Sequence, residues 1–270
     1  MASLHSIIAW NVNGYTPKIH EIVTQMIDES SPSILFFTET KRDEGEMRRL
    51  FGSLPNYTPV INSHIPVHMH GVAMLVRNDV RFNTLTVNLN IQCRRDSKSG
   101  NAGTGRIIAV EVFTPTDSFV VVGTYTPNSG GANTPAKLEY REKVWDVAFY
   151  AFLQDIRKQR EIVWIGDANV APDLTIDISL NSMSSWAGCR PGERGNFAGI
   201  LNDGWIDAWR KEHPDVKEYT WRGNKDSRKY GMRIDHIIIT PGLWTKINST
   251  FICHTCPGSD HVPVGMYMKL

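Results

Sequence analysis

The feature that most constrains this chain is a series of strand-length apolar runs with no wet side: SIIAW (6–10), SILFF (33–37), GVAMLV (71–76), RIIAVEV (106–112), FVVVGTY (119–125), EIVWIG (161–166) and IDHIIIT (234–240). A strand with one face in water alternates apolar and polar residues, because successive side chains point to opposite faces. Several of these runs are too continuous for that and need cover on both faces. Two helices are legible as cover. In PKIHEIVTQMIDE (17–29), Ile19, Ile22, Val23, Met26 and Ile27 recur at i, i+3, i+4, i+7 and i+8, one helical stripe, and Pro17 suits the first helical position. A second helix is expected from about Pro135 to Arg160, with Thr134 as N-cap and Leu138, Trp145, Ala148, Phe152 and Ile156 on its buried side. FAGILNDGWIDAW (197–209) reads as a short helix, a glycine-containing turn and another helical piece. Strands and helices interleave, which gives an α/β or α+β domain with helices packed on sheets.

With 270 residues, 41% of them hydrophobic, and neither an internal repeat nor an obvious linker, a single domain over 1–270 is expected. The 29 basic and 28 acidic residues leave a net charge of +1, so the whole-molecule field steers the chain towards neither nucleic acid nor membrane. No run approaches the roughly 18 apolar residues of a membrane span, and the first apolar stretch is too short for a signal peptide. The expectation is an intracellular protein with no membrane partner. The four cysteines include one CxxC, CHTC (253–256), but a zinc ribbon would need a second pair. CRRDSKSGNAGTGR (93–106) reads as a loop. Its Arg94, Arg95, Lys98 and Arg106 suit either phosphate contact or a solvated charge cluster, and the Lys-Ser/Thr ending of a phosphate-binding P-loop is missing.

Function is written at the ends of the apolar strands. SIIAW is followed by Asn11 and Asn13, SILFFT by Glu39, FVVVGT by Tyr125 and Asn128, and EIVWIG by Asp167 and Asn169. Open sheets place ligands at this carboxyl edge. Asn and Asp also end strands for reasons of turn chemistry, but those reasons do not call for Glu39 or Tyr125. A carboxylate directly after ILFFT must be hydrated, paired or metal-bound. On extended backbone Asn11 and Asn13 would share a face, as would Asp167 and Asn169. Carboxylates, carboxamides and a phenol favour a hard cation, Mg2+ or Mn2+, over zinc or copper. Near the C-terminus, GSDHVPVG (258–265) adds Asp260 and His261, neighbours whose side chains point to opposite sides of an extended segment.

Taken in order, WNVNG (10–14), FTETK (37–41), TYTPNSG (124–130), LEYREKVWDVAF (138–149), IGDANVAP (165–172), PGERGNF (191–197), RIDHIIIT (233–240) and GSDHVPV (258–264) resemble the motifs of the exonuclease III type apurinic/apyrimidinic endonucleases, members of the superfamily that includes DNase I. The resemblance spans nearly the whole chain. It implies a four-layered α/β sandwich, two packed β-sheets flanked by helices, with the active site at one end of the sheets. It implies a Mg2+-dependent hydrolase of double-stranded DNA that cuts 5′ to abasic sites, with possible 3′-5′ exonuclease or 3′-phosphodiesterase action, and a monomer.

By the same resemblance Glu39 is the principal metal ligand, with Asn11 beside it and Asp260 close to the metal. Asp167 positions and deprotonates the attacking water, Asn169 orients that water or the phosphate, and Tyr125 contacts the scissile phosphate with Asn128 supporting that region. His261 binds a phosphate oxygen and is oriented by Asp235. Asn13 stands where many animal relatives carry Asp, which bears on a second metal. Met232 replaces the aromatic expected before the RID motif, leaving Trp221 as the aromatic wall of a sugar pocket, and Gly130 and Gly131 follow TYTPNS without an arginine. Substrate preference would then fall to Arg106 with the 93–105 insertion and to RGNKDSRK (222–229). Two alternatives stay open on the sequence alone. One is a less selective, retrotransposon-type endonuclease of the same fold, and the other a phosphoinositide or sphingolipid phosphodiesterase.

Overall fold

The computed structural model describes residues 4–64, 69–89, 91, 105–131, 133–225 and 228–269. Cys93, Arg94, Arg95 and Lys98 of the expected loop, and Asp226 and Ser227 of RGNKDSRK, lie outside the described residues. In chain order the elements are β1 Leu4–Asn11, α1 Pro17–Ser30, β2 Ile34–Thr38, α2 Glu44–Phe51, β3 Tyr57–Asn62, β4 Val72–Arg77, β5 Phe82–Leu85, β6 Ile107–Phe113, β7 Ser118–Tyr125, α3 Pro135–Tyr140, α4 Asp146–Arg157, β8 Glu161–Asp167, α5 Pro191–Asn202, β9 Ile206–Asp207, α6 Ala208–Glu212, β10 Trp221–Lys225, β11 Arg228–Met232, β12 Asp235–Ile239, β13 Ile247–Ile252 and β14 Val264–Lys269.

The strands form two six-stranded sheets, ordered β13-β14-β1-β2-β4-β3 and β5-β6-β7-β8-β12-β9, with β10 and β11 as a separate hairpin. The two-sided burial follows from the period of two. Ile7, Ala9, Ile34 and Phe36 of the first sheet meet Val121, Val163, Ile165 and Ile237 of the second in the inter-sheet core. The alternate residues Ile8, Trp10, Leu35 and Phe37 turn the other way, onto Ile19 and Val23 of α1 and Met47 and Phe51 of α2. On the far side, Val120, Val122, Ile162 and Trp164 pack under Trp145, Phe149 and Leu153 of the α3–α4 segment and Phe197 of α5. The result is the expected four-layered, DNase I-like sandwich of two packed sheets flanked by helices. Among the described residues no helix is long and apolar enough to cross a membrane.

Helix α1 forms as its stripe predicts: the Thr16 hydroxyl accepts from the Ile19 amide at 3.2 Å, and Pro17 occupies the first turn, where no intrahelical N–H partner is needed. The second helix differs from expectation. It is interrupted by a π-helical turn at Arg141–Trp145. That turn moves the centre of the buried face to Arg141, Trp145, Phe149 and Leu153, with Ala148, Phe152 and Ile156 flanking it. Thr134 occupies the expected N-cap position, but its hydroxyl makes no capping bond and donates instead to Gly131 O at 2.8 Å. Helix α5 starts at Pro191, six residues before the apolar segment suggested, because its first turn is polar. Cys189, Cys253 and Cys256 are free thiols.

Candidate active site

In each sheet two strands run parallel, β1 with β2 and β7 with β8, and their carboxyl ends meet at one edge of the sandwich. There the two sheets are joined by one side chain. Asn11, 1% exposed, donates from Nδ2 to Glu39 Oε1 at 3.0 Å and to Asp167 Oδ2 at 2.9 Å. Asp167 pairs in register with Tyr125 on β7 and with Asp235 on β12, so the three form a row on one face. Asp167 follows Gly166, whose φ of +128° is readily open only to glycine and whose Cβ would strike the Thr124 carbonyl of the adjacent strand.

Four residues of this cluster leave ordinary backbone space. Asn13 (φ 46°), Glu39 (53°), Lys41 (54°) and Asn169 (47°) are left-handed, and Ser31, a helix C-cap, is the other non-glycine residue so placed among the described residues. Such conformations cost of order 1–3 kcal/mol each and persist where surrounding bonds impose them. The expectation that Asn11 with Asn13, and Asp167 with Asn169, share faces of extended segments is therefore corrected. Each pair closes a tight turn instead, with Asn13 N donating to Asn11 Oδ1 at 3.0 Å and Asn169 N to Asp167 Oδ1 at 2.8 Å. The side-chain oxygen substitutes for a backbone acceptor, and the chain folds back over the strand end.

His261 and Asp235 are both nearly buried, and Nδ1 of the ring lies 2.8 Å from Asp235 Oδ2. The Trp10 indole N–H donates to the His261 carbonyl at 3.0 Å, which fixes the segment to β1, the neighbour of the strand β14 that it leads into. Asp260 turns away from its neighbour, as an extended segment requires, and accepts from Trp221 Nε1 at 2.9 Å and from Asn13 Nδ2 at 3.1 Å. His261, Asp260, Asn13 and Trp221 border a cleft of about 800 Å3 together with Asn128, Arg190, Trp186, Met232 and Ile234. Asn128 Nδ2 donates to Asn169 Oδ1 at 3.0 Å. Trp221 and Met232 stand opposite one another on the β10–β11 hairpin.

Arg106 is placed elsewhere. It is 8% exposed rather than part of a solvated cluster. Its guanidinium lies over the Tyr125 ring, 5.0 Å from the centroid, and Nη1 donates to Tyr125 O at 3.1 Å. It borders a second cavity that also holds His64, His70 and Lys137 and meets the first along Tyr125 and Asn128.

Electrostatics sorts the ionisable groups by role. Burial pushes the Asp167 carboxyl up to about 7, with the Asp235 and Glu39 charges adding to the shift and His261 opposing it. Burial alone would lower the His261 pKa, but the Asp235 carboxylate overrides it and holds the ring at about 9, a cation at neutral pH. Burial, then Glu39, keeps the Tyr125 phenol protonated well above its usual range, so it stays a donor.

The donor chemistry fits a hard divalent cation. Glu39 lines the cleft, and Lys41 places its ammonium 2.8 Å from Glu39 Oε2 and within hydrogen-bond reach of Asn13 Oδ1, so a cation already bridges two of the oxygens. Asp167, Asp235 and His261 also bring ligand atoms within 4.8 Å of one another. There, however, His261 Nδ1 is engaged by Asp235, so that group is better suited to holding an orienting hydrogen bond.

Several residues of the site carry no apolar or strand-end signature. Lys41 sits in FTETK, two residues after Glu39, and that proximity was the available signal. Arg190 bonds Ser129 Oγ at 3.1 Å and Gly130 O at 2.8 Å, bringing a guanidinium from a different loop to the glycines that lack one in sequence. Arg141, 3% exposed, uses the π-turn to donate to Pro127 O at 2.9 Å and Ala168 O at 2.8 Å, and so ties together the loops that carry Asn128 and Asn169.

Behind the cleft, buried Arg233 pairs with Asp177 at 2.7 Å and Asp207 at 2.8 Å. His236 bridges from Arg233 to the Val170 carbonyl at 2.8 Å. Replacing Arg233 with Met leaves buried Asp207 without its guanidinium and buried Asp177 with only that of Arg210, at 2.6 Å. Urea unfolding of Arg233→Met is expected to show a loss of about 3–5 kcal/mol, and a midpoint equal to that of the unsubstituted protein would contradict this account.

An inter-sheet sandwich whose carboxyl edge joins an acidic cation site to a buried Asp–His pair defines a hydrolase of the nuclease and phosphatase class. The chain belongs to the endonuclease/exonuclease/phosphatase family, whose model matches residues 8–261. It is 30% identical over 270 residues to a DNA-(apurinic or apyrimidinic site) endonuclease of Dictyostelium discoideum, covering 98% of this chain and 70% of that one. Similarity to the DNA repair nuclease APEX1 of Danio rerio is 29% over 271 residues, covering 98% and 82%. An exodeoxyribonuclease of Bacillus subtilis is 25% identical over 270 residues, covering 98% and 99%. Among solved structures, an AP endonuclease from Leishmania major has the same fold with a TM-score of 0.82 at 21% identity, covering 99% of this chain and 88% of that one.

Proposed function

We propose that this protein is a Mg2+-dependent DNA phosphodiester hydrolase of base excision repair, cutting double-stranded DNA 5′ to abasic sites, with 3′-5′ exonuclease or 3′-phosphodiesterase action at the same centre. The observation that carries the proposal is the joining of Glu39, Asn11 and Asp167 across the sheets, beside the Asp235–His261 pair and an apolar wall, in one cleft. The relatives' names support the DNA substrate. The chain acts as one domain, as a monomer and inside the cell, where such DNA is found.

Hydrolysis requires a deprotonated water, charge stabilisation on the phosphate oxygens and support for the departing 3′ oxygen. Asp167 accepts the water's proton, and its carboxylate is aimed by the Asn11 amide and the Asn169 backbone N–H. Asn169, steadied by Asn128, orients the water or the phosphate. His261, held by Asp235 at Nδ1, presents Nε2–H to a phosphate oxygen, and the Tyr125 phenol donates to the same group. Glu39 and Asn11, with Asn13 and Asp260 nearby, would hold Mg2+, or Mn2+ in its place. Held there, such an ion would supply charge neutralisation on the phosphate and the leaving oxygen. Trp221 and Met232 wall the pocket for a base-less sugar, and Arg106 acts from behind Tyr125.

One assay separates this reading from its alternatives. A labelled duplex with a tetrahydrofuran abasic analogue, an intact duplex and a soluble inositol phosphate are incubated with Mg2+ or EDTA. Cleavage of the abasic duplex in Mg2+ alone is expected. Equal nicking of both duplexes would leave a less selective endonuclease, and cleavage of the inositol phosphate alone would overturn the nuclease reading. Glu39→Gln is expected to raise the Mg2+ concentration for half-maximal rate by about 10- to 100-fold and to depress turnover while leaving the melting temperature unchanged. An unaltered Mg2+ dependence would remove Glu39 as a ligand.

A further inference from the structure

One wall of the cleft has more aromatic surface than a base-less sugar can use. Trp186 lies in the loop between β8 and α5, partly buried at the edge of the cleft, and its ring packs against Tyr230 of the hairpin with centroids 4.8 Å apart and planes at 37°. The loop is anchored. Trp186 N donates to Met183 O at 2.9 Å, Cys189 N to Trp186 O at 3.0 Å and Ala171 N to Gly188 O at 2.8 Å, while Met183 and Cys189 are buried in a small core of their own. The indole is thus backed by a second ring and held by its backbone, and its remaining area faces the cleft that holds Asp167 and His261. Flat, pre-positioned aromatic surface suits a nucleobase, since every base has a π-face and stacking is worth about 1–3 kcal/mol per base. A deoxyribose without its base offers no such face.

We infer that Trp186 is a specificity-determining residue that stacks on the nucleobase of the nucleotide whose 5′ phosphate is hydrolysed. The cleft then accepts an ordinary 3′-terminal nucleotide as well as a base-less sugar. This rests on the phosphodiesterase reading above and names the substrate that the aromatic wall adds to it. Arg190 does not supply the selectivity, because its guanidinium is committed to Ser129 and Gly130.

The test compares the intact protein with Trp186→Ala and Trp186→Phe on two duplexes, one with an internal tetrahydrofuran site and one with a mismatched ordinary nucleotide at its 3′ end. Trp186→Ala is expected to lower kcat/KM for release of the 3′ nucleotide by about 5- to 100-fold, mainly through KM, as loss of one stacked base implies. Incision at the tetrahydrofuran site should change less than about twofold, and Trp186→Phe should recover most of the loss, since a ring still stacks. A second readout needs no turnover: 2-aminopurine at the 3′ end, bound in EDTA, should be quenched by the unsubstituted protein and brightened by Trp186→Ala. Equal losses on both duplexes, no loss on either, or unsubstituted protein that cuts only the tetrahydrofuran duplex would each overturn the inference. Unsubstituted protein that cuts neither duplex would instead sink the phosphodiesterase reading beneath it.

Discussion

Asp167→Asn lowers kcat/KM for cleavage of the abasic duplex by about 100- to 10,000-fold, the range of a lost general base, and leaves the fold intact. The Asn side chain keeps an oxygen to accept from Asn169 N or Asn11 Nδ2, so the turn at the end of β8 retains a partner. What disappears is a group able to take a proton. The pH dependence gives a separate reading of the same residue. Burial raises the Asp167 carboxyl to about 7, and the group works as a base only when ionised. The rate of the unsubstituted protein therefore falls tenfold per unit as the pH drops below about 7. In Asp167→Asn that acid limb is lost. A variant rate within a few-fold of the unsubstituted protein, or an unchanged acid limb, would assign the base elsewhere.

His261→Ala is expected to cost about 100- to 1000-fold in kcat, the effect of removing one preorganised donor from a developing oxyanion. Asp235 holds the ring as a cation up to about pH 9, so the unsubstituted protein should lose activity above that point as the donor gives up its proton. The limb runs opposite to that of Asp167, and together they make a plateau between about 7 and 9. The same pair contributes to stability with a fixed sign. The folded pKa lies above the ordinary histidine value of 6.5, so the contribution is complete below that value and fades as the pH rises through about 9. Thermal melts of His261→Ala should lack this alkaline decline, and a decline equal to that of the unsubstituted protein would show that the pair is not its source. Asp235→Asn tests the orientation directly. It should lower the alkaline limb towards the ordinary histidine range while the ring itself remains.

The two predictions rest on residues that differ in how they could be found. Asp167 and Glu39 were legible because each ends a buried strand with a group that the strand's own environment cannot satisfy. The Asp235–His261 pair needed the motif resemblance, since 26 positions separate the residues and no spacing rule links them. Lys41, Arg190, Arg141 and Trp186 were not assigned roles beforehand. Arg190 and Arg141 bond carbonyls of other segments, Lys41 pairs with Glu39 two residues away and reaches Asn13 on another loop, and Trp186 sits in a loop without periodicity. Periodic patterns report which face is buried, and a polar group reaching across the molecule leaves no such mark. The long second helix shows the same limit from the other side. Its apolar stripe was visible, but the π-turn that breaks it begins at Arg141, which bonds the Pro127 and Ala168 carbonyls, and an arginine does not count towards an apolar stripe.

The sequence by itself determined the layers, because runs such as SILFF and FVVVGTY bury both faces of each strand and so demand a partner sheet on one side and helices on the other. It also determined which edge would carry chemistry, through the polar residues that follow β1, β2, β7 and β8. Only the tertiary structure decided which of those residues meet. The left-handed turns at Asn13 and Asn169 close locally, on the Asn11 and Asp167 side chains two residues earlier, whereas the one at Glu39 is held by backbone bonds to Gly14 and, through Thr40, to Gly71. The shifts of Asp167 and His261 likewise arise from charges brought together across strands and from exclusion of water, both properties of the packed molecule rather than of any segment of chain.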